Sequence, residues 1–147
     1  MISQKVILLN SLYFTNIFSP FDMVLHIKKI KDFKNRINKG DPSLVQEIAN
    51  ITIKNKTRNF YSFATKYCFW HNDKKYPIYD SMGTKILKEY SYNNEFDFNC
   101  MGINLRDYKK YKNVIDNFCD CFNLPNEVKY RKLDKYLWQK GKDYKNG

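Results

Sequence analysis

Phe60, Phe63, Ala64, Tyr67, Cys68 and His71 recur at the spacing of one helical face, and this run constrains the chain more than any other. Asn72-Asp73-Lys74-Lys75 ends the pattern, and Pro77 forces an extended path on the residue before it. Asp80-Ser81 can then cap a helix running to about Tyr90. The order is an aromatic helix, a basic loop, Pro77-Ile78-Tyr79-Asp80-Ser81 and a second helix. It sets one carboxylate at a helix mouth beside a basic, aromatic surface.

The rest of the chain reads as further helices. One spans about Lys5 to Ile17. Ser19 is an N-cap with Pro20 at the first helical position, and the helix it starts carries Met23, Ile27, Ile30 and Phe33 or Ile37 until Gly40 stops it. Asp41-Pro42 opens a short helix with Leu44, Val45 and Ile48 on its apolar side. Asn50 to Thr57, NITIKNKT, lacks a partner run of strand quality and reads as a hairpin-like turn between helices. Ser91 to Asn99 reads as loop. Asn104 caps a long helix striped by Tyr108, Tyr111, Ile115, Phe118 and Phe122. A last helix bears Leu133, Tyr136, Leu137 and Trp138 and stops at Gly141, leaving 142–147 as a frayed tail. Tyr13, Phe14 and Phe18 are most simply core. The expectation is one all-α domain, residues 1–147, built as a compact bundle of six or seven helices.

Composition narrows the partners. The net charge of +11 favours a polyanion, nucleic acid first, although richness in Lys, Asn, Ile and Tyr also fits the codon usage of an AT-rich genome. No apolar run reaches membrane-spanning length and the first residues lack a cleavage site, so a cytoplasmic setting without membrane attachment is expected. Cys68, Cys100, Cys119 and Cys121 form no C-x-x-C pair, and His26 and His71 are not spaced with them as ligands. Buried reduced thiols and no metal are expected. Glycine is too scarce for a phosphate-cradling loop, so no nucleotide or other cofactor is expected.

More than one reading stays open for each candidate site residue. Asp80 is either a plain helix cap or a carboxylate able to stabilise positive charge on a sugar or orient a nucleophile. Lys54, Lys56, Arg58 and Lys66 surround the entrance to the aromatic helix. Each is either a solvated surface cation, a phosphate ligand or, for a lysine, an amine nucleophile. Trp70, His71, Tyr76 and Tyr79 cluster before Asp80 and offer aromatic faces for an extruded base. His71 also lies in the core stripe, where a hydrogen-bonded buried histidine is the plainer role.

Three segments carry a resemblance: LNSLYFTNIFSPFDMVLHI, the SFATKYCFWHN block with YPIYDS after it, and LDKYLWQKGK near the end. From about Leu9 to Lys142 the chain resembles small bacterial proteins of the 8-oxoguanine DNA glycosylase fold, in the helix-hairpin-helix glycosylase group. The resemblance implies an enzyme that bends duplex DNA, flips out a modified or damaged base and cuts its N-glycosidic bond. It implies an essential Asp after a Pro at a helix start, the position of Asp80. Bifunctional members add a Schiff-base lysine. Lys56 is nearest by position, and Lys66 is the other candidate. Trp70, His71 and Tyr79 then line or support the base pocket, while Lys54 and Arg58 hold phosphates. The chain departs from the group in its glycine-free NITIKNKT hairpin and in having no lysine squarely at the expected helix position. A non-catalytic DNA-binding or protein-interaction module on the same fold is the alternative. A nuclease-type toxin ranks last, for want of a histidine pair or a carboxylate cluster.

Overall fold

The computed structural model describes residues 1–13, 15, 17, 19–93 and 98–147. The expectations for Phe14, Asn16 and Phe18, and for the middle of the 91–99 loop, fall outside these residues. The described chain is mostly helical. In order it runs α1 (Ile2–Tyr13), α2 (Pro20–Lys28), α3 (Phe33–Lys39), α4 (Ser43–Ala49), β1 (Asn50–Ile53), β2 (Lys56–Asn59), α5 (Tyr61–His71), α6 (Ser81–Asn93), α7 (Tyr108–Cys121) and α8 (Lys129–Asn146).

The all-α expectation needs one correction. Asn50 to Thr57 is not a bare turn, because its strand partner is the chain immediately after it. Asn50 pairs with Asn59 and Ile53 with Lys56 in an antiparallel ribbon. Lys54 (φ 47°) and Asn55 (φ 61°) are both left-handed, as a two-residue hairpin turn with matching twist requires. Glycine is the usual sign of that turn, and its absence hid the ribbon. Buried Ile51 anchors it, whereas all of β2 is exposed.

Several boundaries also move. Ser19 caps α2 as expected, its Oγ accepting from the Asp22 N–H. That helix does not run on to Gly40. Lys29 and Ile30 bond back only three residues, and Asp32 turns left-handed at φ 53° before α3 begins. This split raises the described helices to eight. Gly40 (φ +78°) does close α3. Asp107, not Asn104, caps α7, accepting from the Lys110 N–H. The first helix ends at Tyr13, and α6 continues to Asn93, into the stretch read as loop.

Helix α8 runs through Gly141 to Asn146 instead of stopping there. Gly141 is buried under Met82 of α6: a Cβ on it would lie 2.4 Å from the Met82 Cγ. Gly83 of α6 faces Leu137 in the same way, at 3.3 Å. These two glycines serve close helix packing, not helix termination.

Helix α5 is the centre of the fold. The stripe Phe63, Ala64, Tyr67 and Cys68 is buried as expected, but so are Tyr61, Thr65, Lys66 and Phe69. A helix enclosed on nearly every side is a core helix, not an amphipathic surface one. Leu44, Val45 and Ile48 of α4 and Tyr108, Tyr111, Ile115 and Phe118 of α7 join the same core. Cys68, Cys100 and Cys119 are buried free thiols, while Cys121 is exposed, against expectation. Among the described residues no helix is long and apolar enough to cross a membrane.

Candidate functional site

After a turn at Asp73–Lys75, Pro77 favours extended backbone at Tyr76, and the chain runs without regular structure to Asp80. Its backbone is then tied down group by group. The Tyr108 hydroxyl donates to the Pro77 carbonyl (2.9 Å) and the Tyr111 hydroxyl to the Ile78 carbonyl (2.6 Å), both buried. The Tyr79 N–H donates to Thr65 Oγ1 (3.0 Å), and Ser62 Oγ donates to the Tyr79 carbonyl (3.4 Å). Helices α5 and α7 thus clamp the segment that delivers Asp80. At its end, Asp80 Oδ2 accepts from the Met82 and Gly83 N–H groups, each at 3.1 Å. Asp80 is an N-cap, as its position suggested, and its carboxylate also lines a cleft.

That cleft encloses about 450 Å³ between α1, α5, α6, α7 and α8, and Lys66, Asp80, Asp134, Tyr13, Tyr111 and Trp138 stand on its wall. A volume of this order suits a small planar ligand. Lys66 is not the solvated surface lysine that its flank position suggested, being only 7% exposed. Its ammonium donates to Ser62 Oγ (2.9 Å), one turn back on α5, and lies 4.9 Å from the centre of the Tyr13 ring. Ser62 therefore holds both the amine and the segment leading to Asp80. Burial pushes the Lys66 amine below the usual lysine range, opposed by the charges of Asp80 and Asp134.

Asp134, on α8, is the residue that sequence reading missed. Burial pushes its carboxyl above the usual range, the Asp80 charge adds to this, and the Lys66 charge opposes it. The Asp134–Trp138 spacing, one helical turn, could have flagged it, since it puts a carboxylate and an indole on one side of a helix. Trp138 is 59% exposed at the cleft rim, with the Lys142 ammonium 3.6 Å from its ring centre.

The remaining candidates lie around this centre. Trp70 is 51% exposed, and its Nε1–H donates to the Tyr13 hydroxyl (3.1 Å). It touches the cleft through Tyr13. Tyr79 packs edge-on against Tyr61 and Tyr111 and supports the segment without lining the cleft. Tyr76, fully buried, donates to the carbonyls of Arg36 and Asp41 and is a structural anchor. His71 packs against Phe33 and Tyr67, with the Lys5 ammonium 3.4 Å from Nδ1. Burial, then the Lys5 charge, lowers its pKa to about 4, so the ring is neutral at pH 7. Lys54, Lys56 and Arg58 stand together on the exposed hairpin, where they line a separate hollow with Ser19 and Asp22. The structure thus brings Lys66 and Asp80 together and leaves Lys56 with the phosphate-binding candidates.

Residues 1–75 match the model of the HI_0787_N family, described as an N-terminal domain. A protein of Haemophilus influenzae, described as uncharacterized, is 40% identical over 136 residues, covering 91% of this chain and 63% of that protein. The chain therefore spans less than two thirds of the curated relative it matches. No solved structure matches. The family match includes Lys66 and the hairpin, while Asp80 and Asp134 lie beyond it.

Proposed function

The chain belongs to the HI_0787_N family, and we propose that it is a DNA glycosylase-type enzyme that excises a modified or damaged base by cleaving its N-glycosidic bond. One observation carries this reading: a buried lysine amine, Lys66, shares a cleft with the helix-capping carboxylate Asp80. Removing a base from a sugar needs a nucleophile for C1′ and negative charge to stabilise the oxocarbenium-like centre that develops there. Lys66 is the nucleophile and Asp80 the stabilising carboxylate. Imine formation on Lys66 then gives lyase chemistry. The resemblance to helix-hairpin-helix glycosylases supports the role of Asp80, with the β1–β2 ribbon standing where that group has its hairpin, while the choice of Lys66 over Lys56 rests on its burial in the cleft.

Trp138, at the rim, stacks on the extruded base, and Tyr13 walls the far side of the amine. Lys54, Lys56 and Arg58 contact backbone phosphates of duplex DNA, so affinity falls steeply with salt. The route uses no metal and no nucleotide cofactor.

The test is base release from duplex and single-stranded oligonucleotides carrying a panel of modified bases, among them 8-oxoguanine, uracil and hydroxymethylcytosine. Alkali-labile sites formed by the wild type and absent with Asp80→Asn are expected. DNA binding without base release across the panel sinks the enzymatic reading in favour of a non-catalytic binding module.

A further inference from the structure

Two carboxylates share the cleft with Lys66, and their surroundings differ. Asp80 Oδ2 accepts two backbone N–H groups at 3.1 Å, at the N-terminus of α6. Its oxygen is thus already engaged as the cap of that helix. Among the described residues Asp134 has no hydrogen-bond donor and no ion-pair partner within 4 Å. It is half-buried on α8, beside the apolar Ile78 and Leu137. A carboxylate without donors in such a place gains by taking a proton.

We propose that Asp134 is the base that takes the proton from Lys66 through one bridging water, leaving Asp80 to face the sugar. This rests on the glycosylase reading above, in which Asp134 is the acid–base residue for the amine. The other titratable groups on the cleft wall are Tyr13 of α1, Tyr111 of α7 and Lys145 of α8. Tyr111 already donates to the Ile78 carbonyl and Tyr13 accepts from Trp70, while Lys145 is a cation and no proton acceptor.

The step balances on an abasic-site aldehyde. The Lys66 ammonium gives one proton through the bridging water to the Asp134 carboxylate, the freed nitrogen pair attacks the aldehyde carbon as the C=O π pair moves to oxygen, and a proton passes from that nitrogen to the oxygen to leave a carbinolamine. Asp134 returns that proton to the departing hydroxyl, which leaves as water, and a protonated imine remains on Lys66. Asp134 is again charged, ready for the next cycle.

The experiment is borohydride trapping of the full chain on a duplex carrying one abasic site, from pH 5 to 9, for wild type, Asp134→Asn, Asp134→Glu and Lys66→Arg. Wild type should trap with an acid limb, as Asp134 must be unprotonated to act. Asp134→Asn should trap roughly 10²-fold more slowly at neutral pH, with unchanged DNA affinity and without that limb. Asp134→Glu should recover part of the rate, and added acetate should speed Asp134→Asn but not wild type. A merely structural Asp134 would show neither the lost limb nor acetate rescue. If Asp134→Asn matches wild type in rate and profile while Lys66→Arg is dead, this inference is wrong and the glycosylase reading stands. If wild type does not trap, or Lys66→Arg traps equally well, this inference and the Lys66 nucleophile fall together, and Asp80-dependent base release alone decides the glycosylase reading.

Discussion

The Lys66 ammonium donates a 2.9 Å hydrogen bond to Ser62 Oγ, one turn earlier on α5, and the same oxygen donates onward to the Tyr79 carbonyl. One small hydroxyl therefore orients the amine and fixes the backbone next to Asp80. Ser62→Ala removes both bonds at once. The stability loss expected is about 1–2 kcal/mol, the worth of a buried bond to a charged group. Any amine-dependent trapping on abasic DNA should fall further than thermal stability implies, because Lys66 loses its orientation. Urea denaturation run beside a trapping assay separates the two. Unchanged trapping would show that Ser62 does not position the amine.

Tyr111→Phe deletes the hydroxyl on the Ile78 carbonyl and leaves a buried acceptor unpaired. It should destabilise the fold by about 1–3 kcal/mol. The segment leading to Asp80 loses one of its four ties, so on the proposed function base release should drop while DNA affinity, assigned there to the hairpin, holds. Equal losses in both assays would contradict that separation.

Gly141 and Gly83 let α8 and α6 approach closely, which brings Asp134 and Asp80 to one cleft. Gly141→Ala improves helix propensity by about 1 kcal/mol. Against this, its Cβ would sit 2.4 Å from the Met82 Cγ, an overpacking that costs about 1–3 kcal/mol. A net loss of stability is expected in the wild-type background. With Met82→Ala in place the clash vanishes, and the same substitution should then stabilise. A destabilising effect in both backgrounds would refute the steric account.

His71 is depressed from 6.5 to about 4 by burial and then by Lys5. Between these values the unfolded chain takes up a proton that the folded protein refuses. Stability therefore falls as pH drops from about 6.5 toward 4. Melting temperatures across that range should slope less for His71→Gln than for the wild type. Parallel slopes would mean that other groups set the acid sensitivity.

Local pattern carried much of the fold. The period of α5, the Ser19-Pro20 start of α2, the Gly40 stop and the Asp80 cap are short-range signals, set by residues within a turn or two of one another. What lay outside reach was anything two glycines or a turn could decide in more than one way. Gly141 reads as a stop until Met82 is seen against it. Lys54-Asn55 reads as loop until both residues are seen left-handed.

The site divides along the same line. Sequence by itself determined Asp80, because a cap is defined by its own helix, and it proposed Lys66 as one of two lysines. Only the tertiary structure separated the two, burying Lys66 in a cleft with Asp80 and leaving Lys56 on the exposed hairpin, since α5 lies at the centre of the core and even its flank is enclosed by α1. It alone brought in Asp134, from a helix distant in sequence. Burial and charge proximity are properties of packed surfaces, and no local period encodes which helix will cover another.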